Sequence, residues 1–243
     1  MGILNVTPDS FHDGGVYNEI NDIENHANKM VEDGMDILDI GGYSSKPGAK
    51  NISVDEEMSR VIPILKHIRK IFPELVISID TFRSKIASAS LNEGADIIND
   101  ISGGTLDKNM MSVVAKNNCP YILMHMQGNP QNMQNDPSYE NVTLEIIQYL
   151  AQRIKIARDN NIVDLIVDPG FGFGKTLEHN FEILNNLEKF NVLDTPILAG
   201  FSRKSMIYKT LKTSSEKALN GTSSLNTIAL TKGAKILRVH DVK

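Results

Sequence analysis

The chain of 243 residues is short of several features that would announce a function class. It has one cysteine, Cys119, which excludes an internal disulfide and a cysteine-cluster zinc site and fits a reducing cytoplasm. Beside Pro120, at the head of an apolar run, that thiol reads as core filler rather than nucleophile. A basic excess is missing: 25 Lys and Arg stand against 30 Asp and Glu, a net charge of −5, so nucleic acid and anionic membrane surfaces are not expected partners. No apolar run reaches the ~18 residues of a membrane span, and no charged-then-apolar leader opens the sequence. These absences predict a soluble, cytoplasmic protein. A phosphate loop is lacking too, although VDPGFGFGKT at 167–176 suggests one. Only Phe171, Gly172 and Phe173 separate Gly170 from Gly174, one residue too few, and Pro169 stands where the first glycine belongs.

What is present is ordinary in amount, 41% hydrophobic and 23% charged, but regular in arrangement. Apolar runs rich in β-branched residues recur at 1–6, 36–41, 76–80, 96–101, 121–126, 165–170, 196–202 and 235–240. Helix-period stretches lie between them near 21–33, 53–65, 83–93, 107–117, 146–157, 177–190 and 215–232, with a short extra one near 204–212. Ser53 and Glu56 form a capping-box pattern, and Pro63 predicts a kink or a later start. EDGMDILDI, NEGADIIND and TKGAKILRV echo one another, each placing a glycine (Gly34, Gly94, Gly233) where a helix ends and a strand follows. Eight such units with continuously apolar strands predict a parallel sheet covered by helices, closed as a (β/α)8 TIM barrel forming one domain over 1–243. A doubly wound open sheet is the rival, but NVTPDS after the first strand carries no glycine fingerprint. The helix that would cover the eighth strand is expected to be missing from this stretch of chain.

Barrel sites sit at the C-terminal strand ends. Those ends carry Asn5, Asp39, Asp80, Asn99, His125, Asp168, Ser202 and Arg238 with His240. Each aspartate taken alone reads as a helix cap; polar residues at every tip do not. Asp80, Asn99 and Asp168 suit a flat heterocycle with several N–H donors, and a catalytic acid–base pair competes with that reading. Arg203, Lys204, Arg238 and His240 gather after the last two strands, where barrels bind phosphate. Asn5, Asp9 and Asp13 offer oxygen ligands suited to magnesium, whereas His12, His26, His67, His125 and His179 show no metal-ligand spacing and read as bystanders.

The stretches GILNVTPDSFHDGG, DIGGYSSKPGA, SIDTFRSKIA, IINDISGG, LMHMQGNPQNMQ, VDPGFGFGKTLEHN, GFSRKSMI and LRVHDVK resemble the dihydropteroate synthase family, pterin-binding barrels of folate biosynthesis, over essentially the whole chain. The resemblance implies condensation of (7,8-dihydropterin-6-yl)methyl diphosphate with 4-aminobenzoate by an SN1-like path, with Lys204, Asp168 and Asp13 as catalytic residues. It implies pterin contacts at Asp80, Asn99, Met124, Asp168, Phe173, Gly200 and Lys204. Diphosphate contacts fall on Asn5, Ser45, Arg238 and His240, and aminobenzoate contacts on Phe11, Ser45, Pro47 and Ser202. Asn5 would ligate Mg2+, and the chain would form a homodimer. Tyr43, Ser45 and Lys46 depart from the glutamate, threonine and arginine frequent in the family's second loop. Three alternatives stand beside this reading. A methyltetrahydrofolate-binding domain would have no use for a diphosphate site, a pterin-binding module without activity would be expected to lose the first loop, and a Schiff-base aldolase using Lys204 would be trapped by borohydride.

Overall fold

The computed structural model describes residues 1–6, 16–45 and 49–243, with side chains of the first helix from Ile20 onward. Strands and helices alternate: β1 Gly2–Asn5, α1 Val16–Glu32, β2 Ile37–Gly41, α2 Val54–Ile71, β3 Val76–Asp80, α3 Ser84–Asn92, β4 Ile97–Asp100, α4 Met110–Asn117 and β5 Tyr121–Met124. They continue as α5 Val142–Asp159, β6 Leu165–Asp168, α6 Leu177–Asn185, β7 Ile197–Ala199, α7 Ser205–Tyr208, α8 Leu219–Thr231 and β8 Ala234–Leu237. The eight strands pair in chain order, all parallel. The ring closes where Ile3 N donates to Val239 O and Val239 N donates to Met1 O, both at 2.9 Å. The eightfold barrel read from the sequence is therefore the fold.

The two faces of each strand divide the core. Leu38, Ile40, Ile77, Ile79, Leu123 and Val167 point outward into the large apolar cluster shared with the helices. The alternate residues Ile97, Ile122 and Leu198, with Ile37, Ile166 and Ile236, form a separate cluster that fills the barrel. Buried α2 residues such as Leu65 and Ile68, fully enclosed, each stabilise the outer layer by about 1.5–3 kcal/mol.

Local signals explain most boundaries. Gly34 and Gly94 end α1 and α3 with φ of +93° and +94°. In each, two backbone bonds close the helix end: Gly34 N to Val31 O with Met35 N to Met30 O, and Gly94 N to Leu91 O with Ala95 N to Ser90 O. Ser53 caps α2 through its hydroxyl, which accepts from Glu56 N at 3.0 Å. Pro63 neither delays nor interrupts that helix; it lies on the exposed face, where helices bow outward and a ring is accommodated.

Several expectations need correction. The stretch 177–190 is not one helix: α6 stops at Asn185 and a tighter 3-10 turn runs Leu187–Leu193. The stretch 215–232 likewise begins with a 3-10 turn at Ser215–Lys217 before α8, and the extra helix near 204–212 is the single turn α7. Asp39 is not at a strand tip but in the middle of β2. Among the described residues no helix is long and apolar enough to cross a membrane.

Candidate active site

The period of two that fills the barrel also builds the site. Counting on two residues from Ile3, Asp39, Ser78, Ile97, Ile122, Ile166, Leu198 and Ile236 gives Asn5, Gly41, Asp80, Asn99, Met124, Asp168, Gly200 and Arg238, with Asp39 one step below the β2 member of that floor. One strand face thus changes from apolar plug to polar floor within a single step. Register places Asn5 opposite Gly41, Gly41 opposite Asp80, Asp80 opposite Asn99, and Met124 opposite Asp168. Two glycines keep the floor open. A Cβ on Gly41 would lie 3.7 Å from both Asn5 Oδ1 and Asp80 Oδ2, and one on Gly200 would lie 3.7 Å from Arg238 Cβ and 3.9 Å from Asp168 Oδ2.

The carboxylates are not equivalent. Asp100 is fully buried but saturated, accepting from Ser102 N and Oγ, Gly104 N and Tyr121 Oη at 2.6–2.9 Å. Asp168 Oδ1 accepts from Gly170 N at 2.7 Å, which leaves Oδ2 toward the Gly200 gap. Burial raises the pKa of Asp168, while Lys204 and the Gly170 N–H oppose the rise. Burial also raises Asp80, with Arg238 opposing and Asp39 adding to it.

The cations do not stand apart from the acceptors: Arg238 Nε donates to Asp39 Oδ2 and Nη2 to Asp80 Oδ2, both at 2.7 Å. Burial alone would lower its pKa, but Asp39 and Asp80 outweigh that and raise it. Asp39 Oδ2 also accepts from Asn99 Nδ2 at 3.2 Å. Arg203, by contrast, leaves the cation cluster, because Nε and Nη2 are spent on Asp241 at 2.7 and 2.6 Å.

Lys204 Nζ donates to Phe171 O at 2.6 Å and lies 4.8 Å from the centre of the Phe173 ring. Burial lowers its pKa to about 8, with Arg238 pushing the same way and Asp168 and Asp80 opposing. His240 is exposed at the mouth. Ser202 Oγ accepts from His240 N at 3.1 Å and lies 3.0 Å from Nδ1. The hydroxyl has a proton to give and a second lone pair to accept with, so this contact holds the imidazole ring in place with either ring nitrogen carrying the hydrogen. Desolvation of the ring and the nearby Arg238 and Arg203 lower its pKa to about 4, which favours the neutral imidazole over the cation expected from the sequence. Met124 packs with Ile101, Met126 and Met133 beside Phe82 and Phe173, an apolar wall for one side of the site.

The glycine-rich stretch after β6 grips protein, not phosphate. Lys175 is buried, with Nζ 2.9 Å from His125 Nδ1 and donating to Phe173 O at 2.9 Å and His125 O at 3.3 Å. Gly170 has φ +73°, and a Cβ there would meet His125 O at 1.9 Å, so the turn requires glycine. His125 is thus no bystander; it fastens the loop that presents Asp168 and Phe173.

Sequence reading also missed a brace under the second loop. Glu57 and Thr81, both buried, are joined at 2.7 Å, and Arg83 donates to Glu57 Oε2, Ile52 O and Ser53 O at 2.7, 2.6 and 3.0 Å. Its guanidinium lies 5.3 Å from both the Tyr43 and Phe82 rings, and Tyr43 Oη accepts from Gln131 Nε2 at 2.7 Å. The signal was an acidic residue, Glu57, on the buried face of α2, which calls for a partner. Ser45 is half-buried at the end of the described part of this loop. Phe11, Asp13, Lys46 and Pro47 lie outside the described residues.

The side-chain oxygen of Asn5 is of the donor type that magnesium, an ion often held by few protein oxygens, accepts. Asn5 Oδ1 and Asp80 Oδ2, the latter already bonded to Arg238, flank the gap left by Gly41, and the described residues hold no cluster of three or more His, Cys, Asp and Glu.

A family profile described as "Pterin binding enzyme" matches residues 1–240. Over 245 aligned residues the chain is 44% identical to dihydropteroate synthase of Escherichia coli K12, covering 100% of this chain and 86% of that protein. The fold superposes with a TM-score of 0.93 on Yersinia pestis dihydropteroate synthase crystallised with a sulfonamide drug complex, at 39% identity and 100% and 88% coverage. It superposes with a TM-score of 0.92 on the Xanthomonas albilineans enzyme with 4-aminobenzoic acid, at 38% identity and 99% and 86% coverage.

Proposed function

We propose a division of labour among these residues from one premise: the chain belongs to the dihydropteroate synthase family of pterin-binding enzymes. Its reaction is a transfer that joins (7,8-dihydropterin-6-yl)methyl diphosphate to 4-aminobenzoate, giving 7,8-dihydropteroate and diphosphate for folate synthesis. The observation that carries the assignment of residues is the inward ring in which Asp80, Asn99 and Asp168 face the same opening as Lys204 and Arg238.

The pterin ring enters with its N–H edge toward Asp168 Oδ2, Asp80 and Asn99 Oδ1, which accept its hydrogens. Phe173 and Met124 cover its faces, and Lys204 donates to a ring acceptor beside Gly200. The diphosphate then lies over Arg238 and His240, with Asn5 and Ser45 at its far side. Arg238 supplies charge, and His240, if its hydrogen is on Nε2, a neutral N–H. A magnesium ion held by Asn5 and phosphate oxygens would neutralise charge on the leaving group. As the C–O bond stretches, the electron pair goes to diphosphate and positive charge spreads into the ring, where Asp80 and Asp168 stabilise it. The aminobenzoate amine, neutral at working pH, attacks the exposed carbon and then loses a proton to solvent. Phe11, Pro47 and Ser202 would bound the aminobenzoate, and Asp13 would order the first loop over it. No protein nucleophile is needed.

A product assay with both substrates and magnesium should yield dihydropteroate and diphosphate in equal amounts. Lack of product with active substrates, or borohydride trapping of Lys204 with a keto substrate, would remove this reading. Lys204 also sets a pH limit. Because burial holds its folded pKa near 8, the charged form is lost as pH rises through that value. Consequently kcat/KM for the pterin diphosphate should fall above pH 8. Lys204→Arg should abolish that fall, since guanidinium keeps its proton to pH ~12; an unchanged alkaline limb would exclude Lys204 as its source.

We further propose a homodimer and a cytoplasmic setting. Leu219 and Leu230, eleven residues apart and so on one side of α8, are 44% and 50% exposed, an apolar pair suited to a second copy. Sedimentation of the wild type against Leu230→Glu checks this. Cys119, buried, unpaired and with its thiol pushed by burial up to about 11, suits a reducing compartment, which cell fractionation would test.

A further inference from the structure

We propose that Asp39 is the positioning residue that joins the two halves of the site, fixing the amide of Asn99 on the pterin side and the guanidinium of Arg238 on the diphosphate side. The proposal rests on the reading of the site above. Asp39 is fully buried in the middle of β2, two residues below the mouth, so it acts through its neighbours rather than on substrate.

The geometry is specific. One oxygen, Oδ2, accepts both from Asn99 Nδ2 at 3.2 Å and from Arg238 Nε at 2.7 Å. An amide whose nitrogen is tied down toward Asp39 turns its oxygen the other way, so Asn99 meets the ring as an acceptor. A guanidinium held at Nε by Asp39 and through one N–H of Nη2 by Asp80 has a fixed plane, from which both N–H groups of Nη1 and the second of Nη2 remain to donate. Two residues far apart in sequence are thereby aimed from a single anchor.

Stability does not account for this residue. Asp39 Oδ1 is buried and has no hydrogen-bond partner among the described residues, an arrangement that costs free energy. Charge compensation alone does not account for it either. Asp80 already pairs with Arg238, and a mere counter-charge has no need of a bond to Asn99. A locally unfavourable group that aims two ligand-facing side chains is the pattern of a functional site.

The test uses the full chain and two ligands that read the halves separately: 6-hydroxymethyl-7,8-dihydropterin for the Asn99 side and inorganic diphosphate with magnesium for the Arg238 side. By calorimetry, Asp39→Ala should weaken each about tenfold, the order expected for one buried hydrogen bond. Asp39→Asn, which keeps an acceptor but loses the charge, should give a smaller loss. In an Asn99→Ala background the effect of Asp39→Ala on pterin should disappear while its effect on diphosphate persists. In an Arg238→Ala background the reverse should hold. Additive losses in both cycles, or unchanged affinity in the Asp39 variants, would overturn the proposal, because a purely structural role has no reason to split by ligand. Thermal melting identifies a variant that fails to fold, and if Asp39→Ala does so the Asn variant carries both cycles. Failure of the wild type to bind either ligand would instead reject the underlying site assignment.

Discussion

Asp168→Asn is expected to weaken binding of the pterin diphosphate about 100-fold, as two buried charge-assisted contacts are lost or reversed. The direction follows from one hydrogen bond. Gly170 N donates to Oδ1 at 2.7 Å, so an asparagine keeps its oxygen there and turns its NH2 into the Gly200 gap. That places a donor against the donors of the pterin ring. The substitution also removes the negative charge that holds the Lys204 ammonium protonated, so the alkaline limb should move to lower pH. Titration calorimetry reads the first effect and a pH profile of kcat/KM the second. Unchanged affinity would take Asp168 out of the pterin site, whereas lost affinity with an unmoved pH limb would mean that its charge is not felt at Lys204.

Arg238→Ala should have two large effects of different kinds. It strips the cation from Asp39, 0% exposed, and from Asp80, 16% exposed. Leaving buried carboxylates without their partner costs about 3–5 kcal/mol of folding stability, readable as a lower denaturant midpoint. It also removes a charged donor from the leaving-group side, so affinity for the diphosphate ester should fall more than affinity for the free pterin. Both affinities fall to some degree, because the arginine organises Asp80 as well. Arg238→Lys keeps charge but not the fork that spans two carboxylates, and should lie between. Equal losses for both ligands would detach Arg238 from the diphosphate.

The fold was legible because its determinants are local. Glycines 34, 94 and 233 mark helix ends by their backbone alone, with φ of +93°, +94° and +104°, and apolar strands between them repeat often enough to be counted. The inward acceptors were legible for a related reason: a polar residue at the end of an apolar strand has few places to go except the barrel mouth. What stayed hidden was direction and partnership. Arg238 meets Asp39 across 199 positions, and that pairing exists only once the ring has closed with the observed register. Lys175 resembled a phosphate ligand in sequence, yet the tight turn at Gly170 folds its chain inward onto His125. The lowered pKa of His240 comes from desolvation of its ring and from Arg238 and Arg203, an environment that only the folded chain assembles. The breaks at Asn185 and before Leu219 were missed because apolar residues continue across them, and periodicity does not distinguish a tighter turn from a continuing helix.

The seam between β1 and the segment after β8, where Val239 bonds to Met1 and Ile3, bears on how the molecule comes into being. It unites residues separated by nearly the whole chain, the kind of contact that is formed late because so much backbone entropy must be surrendered first. A nascent chain in which β8 has not yet docked presents Asp39 and Asp80 as bare acids repelling one another. Ring closure brings their counter-charge and the leaving-group donor in the same stroke, so competence to bind arises all at once rather than strand by strand.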